Sequence, residues 1–247
     1  MKMKIAVDDY GLHPNIDKAI RTLAERGLVH KVSIMANTVY DPEPLPDHIE
    51  TGLHIDLTTF QSLGGKPLAS SPFHLLRTRP LSLSEIECRM EAQLYHLTTR
   101  GFKITHIDTH QHIHLIPTIL KAVKNTAIAH GISNIRCLTL QMRHHPFYFS
   151  SLLRCGFLKQ TLKLQALYAG GYAMTAKLAH LNPTPNLVLM PLAQSGHYAK
   201  LLNLFVHHFH NQNAELVTHP GLPANIPNEP YLQGRAIEYQ ALLALAH

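Results

Sequence analysis

Cysteine is scarce in this chain. Cys88, Cys137 and Cys155 are widely spaced, odd in number and without a Cys-x-x-Cys pair, which argues against a disulfide framework or a structural zinc cluster and leaves them as small core residues. Long apolar runs are missing too: nothing approaches the roughly 20 uninterrupted residues that a membrane-crossing helix needs. The first residues lead directly into a strand pattern, Lys4 to Val7, without a secretory apolar segment, so a cytoplasmic location and no membrane span are expected. Clusters of like charge are absent as well. Lys and Arg outnumber Asp and Glu by 22 to 16, but no run of five or six forms, so the excess reads as a surface bias and no nucleic-acid partner is expected.

Histidine, by contrast, is abundant, at 20 residues. One isolated histidine reads as an ordinary surface or core residue. The segment Thr105-His106-Ile107-Asp108-Thr109-His110-Gln111-His112-Ile113-His114 reads differently, because it sets four histidines and an aspartate within ten residues directly after an apolar run. Imidazole and carboxylate are ligands for divalent cations, and in an extended segment alternate residues project on one side. His106, Asp108, His110, His112 and His114 share that parity, and the direct reading is metal.

A length of 247 residues with 45% hydrophobic content suits one domain, residues 1–247, of α/β-barrel size. Strand patterns at Lys4 to Val7, Val29 to Met35, Gly52 to Leu57, Ile104 to Ile107, Ile135 to Leu138, Leu187 to Met190 and Glu215 to Val217 alternate with helical ones. The helices are Asn15 to Arg26, one opened by the Ser82–Glu85 capping box and running toward Gly101, Pro117 to Gly131, Ser150 to Tyr168, Tyr198 to His210 and Gly234 to Ala246. About seven strands in such a rhythm predict a distorted TIM-like (β/α) barrel of parallel strands with outer helices. Thr58 to Leu81, with Gly64, Gly65, Pro67 and Pro72, has no clear period and is expected to be a shaped cover over a cleft.

The polar clusters fall at strand ends. Asp8-Asp9-Tyr10-Gly11 follows the first strand, His54 and Asp56 close the third, the histidine run follows the fourth, Arg136 lies in the fifth and His219-Pro220-Gly221 follows the last. In α/β barrels the C-terminal strand ends converge on one face, where active sites are built, so residues a hundred positions apart can share one cation. His106 and Asp108 are expected to orient the ligands. His112 and His114 either line the cleft or pack, and His144-His145 and His207-His208 are expected on solvated helix surfaces.

Asp8-Asp9-Tyr10-Gly11, Gly52-Leu53-His54-Ile55-Asp56-Leu57-Thr58, the His run and Val217-Thr218-His219-Pro220-Gly221 resemble, in order and over nearly the whole chain, the motifs of the YdjC-like carbohydrate deacetylases. The chain departs from them at Ala6-Val7, where Asn-Ala is usual, and at Tyr10, where Phe is usual. The resemblance implies removal of an N-acetyl group from an acetylated amino sugar by a divalent metal on a distorted barrel. It makes Asp9, His54 and His110 the metal ligands, Asp8 the base and His219 the general acid. Arg136 either holds Asp8 ionised through a charge-assisted pair or forms a structural ion pair.

For the ion, a carboxylate with two imidazoles suits zinc, cobalt, iron or manganese, whereas the resemblance implies magnesium, with zinc the main alternative. Another metal-dependent hydrolase, an amidohydrolase or phosphoesterase, and a glycan-binding relative without turnover are the competing expectations. A homodimer is kept open.

Overall fold

The computed structural model describes residues 2–36, 40–58, 71, 74–75, 82–175, 177–178, 181–184, 186–191, 197–223 and 231–246. Its first strand, β1 (Lys4–Tyr10), is buried from Ile5 onward. That is what a strand of a parallel sheet covered on both faces requires. β2 (Lys31–Ile34), β3 (Glu50–Ile55), β4 (Ile104–Thr109), β5 (Asn134–Ile135), β6 (Asn182–Pro183), β7 (Leu187–Leu189) and β8 (Glu215–Thr218) complete the sheet. Every pairing is parallel, in the order β6-β5-β4-β3-β2-β1-β8-β7, which is the cyclic order of a barrel.

Among the described residues the sheet therefore has eight strands rather than about seven, and it curls into a half-barrel flanked by helices. β6 escaped the apolar pattern because it is only two residues long and one of them is Pro183, which has no N–H to donate. Among the described residues β6 and β7 do not pair. The gap is bridged instead by the stretch after β5, where Leu187 N donates to Thr139 O at 2.7 Å and Thr139 Oγ1 donates to Thr184 O at 2.5 Å. For the same reason β5 is shorter than, and lies upstream of, the expected Ile135 to Leu138.

The described helices are α1 (Pro14–Glu25), α2 (Leu83–Thr99), α3 (Pro117–Ala129), α4 (His145–Arg154), α5 (Leu158–Thr175), α6 (Tyr198–Phe209) and α7 (Leu232–Leu243). Ser82 caps α2, accepting from Glu85 N as the capping box requires. The single helix expected over Ser150 to Tyr168 is two. Gly156, at φ 83°, ends α4 by a Schellman closure in which Phe157 N donates to Leu152 O at 2.9 Å and Gly156 N to Leu153 O at 3.0 Å.

Two expectations about side chains are also corrected. Cys88 is exposed on α2, while Cys137 and Cys155 are buried. His144 is buried rather than solvated: its Nδ1 lies 3.2 Å from His208 Nε2, and His208 stacks on Phe147 at 3.8 Å, so this histidine pair packs α4 onto α6. Of the expected cover, Thr58 to Leu81, all but Thr58, Ser71, His74 and Leu75 lies outside the described residues.

The interior beneath the strand ends is crowded by one ring. A Cβ added at Gly52 would stand 2.3 Å from Nε2 of the buried His106. Gly52→Ala is therefore expected to lower stability by about 1–3 kcal/mol, the usual effect of overpacking a full interior. Denaturant midpoints measure this, and an unchanged midpoint would mean that the His106 ring relocates freely.

Candidate metal centre

At the end of β1 the pairing with β2 shifts register between Val7 and Tyr10, and Asp9 takes a left-handed φ of 70°. Such a conformation costs an L-residue about 1–2 kcal/mol, and here it breaks the alternation that would send adjacent side chains to opposite faces. Asp8 and Asp9 are both buried and both reach the neighbourhood of His54, through different partners. They do not simply diverge across the strand, as plain alternation implied.

β3 and β4 bring the next donors together by register, since His54 pairs with Asp108. His54 Nδ1 lies 2.7 Å from Asp108 Oδ1, which leaves His54 Nε2 turned toward Asp9 and His110. A ligand imidazole is commonly oriented in this way by a carboxylate on its other nitrogen. Burial alone would push the His54 imidazolium down, but the charge and hydrogen bond of Asp108, with Asp9 beside it, hold it well above its ordinary range.

The strand parity of the histidine run holds only to Thr109. Residues His110–Leu115 form a tight 3-10 turn in which Gln111 and His112 have φ near 55°, so His112 and His114 do not continue the row that His106 and Asp108 begin. His114 packs: it is buried, with Nδ1 2.7 Å from Thr109 Oγ1. Burial pushes the His112 imidazolium well down, and the charges of His114, His219 and His54 act in the same direction. His106, two residues earlier on β4 than Asp108, meets Ser33, 3.3 Å from its Nε2. Ser33 donates to Asp108 Oδ2 at 2.7 Å. Burial, with Lys31 nearby, pushes His106 down to about 3, so it is neutral.

Three atoms result that face one another. His110 Nδ1 is 3.1 Å from Asp9 Oδ1 and 3.3 Å from His54 Nε2, and His54 Nε2 is 3.3 Å from Asp9 Oδ1. Two donors bound to one ion at about 2.1 Å stand about 3.0 Å apart at a right angle and about 3.4 Å apart at the tetrahedral angle. The observed triangle falls inside that window, so the residues fit a divalent ion held by one carboxylate and two imidazoles. Burial would raise the Asp9 carboxyl, but the Arg235 guanidinium, then His110 and His54, hold it well below its usual range.

A second group of donor atoms, from Asp8, His54 and Asp108, also converges. Arg136 already fills it. Its Nη1 donates to Asp8 Oδ1 at 2.6 Å and Oδ2 at 2.8 Å and also pairs with Asp108, Nη2 donates to Ser33 Oγ at 3.0 Å, and Nε donates to Glu215 Oε1 at 2.6 Å. Lys31 pairs with the other Glu215 oxygen. His219 follows β8 with its Nε2 3.8 Å from Asp8 Oδ2, beyond hydrogen-bond reach, and its side chain 21% exposed. Asp56, although at a strand end, serves its own turn: Oδ1 accepts from Thr58 N at 2.8 Å.

The structure thus gathers Asp8, Asp9, His54, His110, Arg136 and His219 at one end of the sheet. It adds residues that sequence reasoning missed: Ser33, Lys31, Glu215 and, from α7, Arg235 and Glu238. Arg235 Nη2 donates to Asp9 Oδ2 at 2.6 Å. The available signal was that α7 carries Arg235 and Glu238, three residues apart, on the same buried face as Tyr239 and Leu242.

The family model described as YdjC-like protein matches residues 2–246. Relatives bearing the name carbohydrate deacetylase are similar over part of the chain. The protein of Halalkalibacterium halodurans is 26% identical over 147 residues, covering 51% of this chain and 60% of its own. That of Brevibacillus brevis is 28% identical over 141 residues, covering 51% and 56%. That of Vibrio parahaemolyticus is 24% identical over 188 residues, covering 68% and 74%. The matched part of this chain thus spans less than two thirds of the length of the first two relatives. A crystal structure of a putative cellobiose-phosphate cleavage protein from Enterococcus faecalis shares the fold, with a TM-score of 0.66 at 17% identity, over 98% of this chain and 90% of that one.

Proposed function

The chain belongs to the YdjC-like family, and from that premise we propose that it is a metal-dependent hydrolase removing the N-acetyl group of an acetylated amino sugar. The observation that carries the reading is the triangle of Asp9 Oδ1, His54 Nε2 and His110 Nδ1, flanked by Asp8 on one side and approached by His219. The names of the relatives supply the substrate class.

Asp9, His54 and His110 would hold a divalent ion, which would supply a Lewis acid for the acetamide carbonyl and lower the pKa of a water. The rest falls to side chains. Asp8, gripped through both oxygens by Arg136 and so fixed in orientation, accepts the proton of the attacking water. His219 delivers a proton to the departing amine. Two imidazole donors suit zinc, cobalt, iron or manganese better than magnesium, the ion implied by family resemblance. A two-ion phosphoesterase finds less support, because the second donor group is taken by the Arg136 guanidinium.

The test is acetate release from a panel of N-acetylated amino sugars by protein loaded in turn with magnesium, manganese, cobalt or zinc. Release from none of them, with metal bound, would overturn the reading. In Asp8→Asn the rate is expected to fall by roughly 10²- to 10⁴-fold, the contribution of a positioned base, with metal content unchanged. Loss of the ion in that variant would make Asp8 a ligand instead.

A further inference from the structure

The last strand delivers His219 into a turn that is fastened to α7 at three points. Glu238 Oε2 accepts a hydrogen bond from His219 N at 2.6 Å, Arg235 Nη1 donates to His219 O at 3.4 Å, and Gly221 N donates to the Arg235 carbonyl at 3.1 Å. The turn lies close on the helix because Gly221 has no side chain: a Cβ there would stand 3.2 Å from Arg235 Cβ and 3.3 Å from Ile16 Cγ1. The same Arg235 that holds His219 O also binds Asp9 Oδ2, so one turn of α7 grips both a metal-site carboxylate and the backbone of the proton donor.

Glu238 is an expensive residue for that position. It is fully buried against the Tyr198 hydroxyl, and burial raises its carboxyl above the usual range. An apolar side chain of the same size would remove the desolvation cost of the carboxyl, but it would leave the His219 amide without its acceptor.

We propose that Glu238 and Arg235 are positioning residues for His219, fixing its backbone on α7 so that the imidazole faces Asp8 beside the Asp9–His54–His110 cluster. This rests on the deacetylase reading above, in which His219 protonates the leaving amine. The role differs from a structural one because it depends on the leaving group: an acetamide needs the proton, whereas an activated acetyl ester does not.

The experiment compares wild type, Glu238→Met, Glu238→Gln and His219→Ala, each loaded with metal. In Glu238→Met, kcat on an N-acetylated amino sugar is expected to fall ~10- to 100-fold, the scale of a misplaced catalytic group, with KM held. The melting temperature should fall modestly, because the His219 amide loses its acceptor, while metal content should be unchanged and an activated acetyl ester should be hydrolysed at the wild-type rate, the amide-against-ester pattern shared by His219→Ala. Glu238→Gln keeps an acceptor oxygen for His219 N and is expected to recover most of the amide rate. Hydrogen exchange supplies a readout independent of turnover: the His219 amide should be protected in wild type and Glu238→Gln and should lose protection in Glu238→Met.

Equal losses on amide and ester, a Glu238→Gln variant as impaired as Glu238→Met, or a His219 amide unprotected in wild type would each overturn the proposal. A wild-type protein that releases no acetate from any amide would overturn the deacetylase reading, and amide protection would then decide the positioning claim by itself.

Discussion

Replacing His110 with alanine is expected to abolish hydrolysis and uptake of a divalent ion while the protein stays folded. His110 lies at the start of a turn rather than inside a strand, its side chain is 15% exposed, and its Nδ1 faces the two other donors at 3.1 and 3.3 Å. Removing it leaves one carboxylate and one imidazole. Losing a residue that merely orients a ligand weakens metal affinity roughly 10- to 100-fold, and losing a ligand costs more than that. Elemental analysis after dialysis reads the metal, and circular dichroism reads the fold. Unchanged stoichiometry in the variant would remove His110 from the donor set.

The second large effect belongs to Arg136. Arg136→Met is expected to destabilise the protein at neutral pH by about 3–5 kcal/mol, the range for removing one partner of a buried ion pair. It leaves Asp8 and Asp108 without their guanidinium and Glu215 with Lys31 alone. The pH dependence separates this from a packing defect. In the intact protein burial would raise the Glu215 carboxyl, but Arg136 and Lys31 hold it from its ordinary 4.5 down to about 2.

A carboxyl depressed in the folded state stabilises above its unfolded value and loses that contribution as pH falls through its folded one. The Glu215 contribution should therefore be level from pH 7 to 5 and be lost from pH 4.5 toward 2, about 3 kcal/mol in all, in addition to the loss below pH 6.5 that the depressed imidazoles of His106 and His112 impose on wild type and variant alike. Relative to wild type, the variant should gain stability from pH 7 to 5 as the carboxylates that lose Arg136 take up protons. Urea midpoints across that range measure it, and a variant that keeps the wild-type profile would show that the ion network does not hold this interior together.

The departures between reading and structure have particular causes. The histidine run was read as a metal-binding row by its strand parity, and that parity failed after Thr109, because Gln111 and His112 turn left-handed and close the chain onto Thr109 through His114. Period-two reasoning assumes an extended backbone, and nothing in the residue types marks where that backbone ends. Asp8 and Asp9 stood out at a strand end, but their shared location near His54 depends on a bulge that alternation cannot express. β6 was invisible for want of an apolar run. The break at Gly156 could have been read, since glycine is the usual residue after a helix C-cap.

Local signals in the chain were enough for most of the order of strands and helices, though not for β6 or the split at Gly156, and for the parallel barrel-like sheet and the donor types at its strand ends. Apolar periodicity and short polar clusters are written in neighbouring residues, and a parallel sheet then carries every strand end to one face. The tertiary fold alone decided the partners. Arg136 could have paired anywhere, and it meets Asp8 and Glu215, as well as Asp108 on neighbouring β4, only because the curled sheet brings β1 and β8, four and five places away in strand order, across from β5. Arg235 reaches Asp9 across 226 positions of sequence, and Glu238 reaches the amide of a turn preceding its own helix. Which buried charge faces which is settled by the cost of leaving any one unpaired in an interior without water. That constraint comes into being only when the helices close over the sheet.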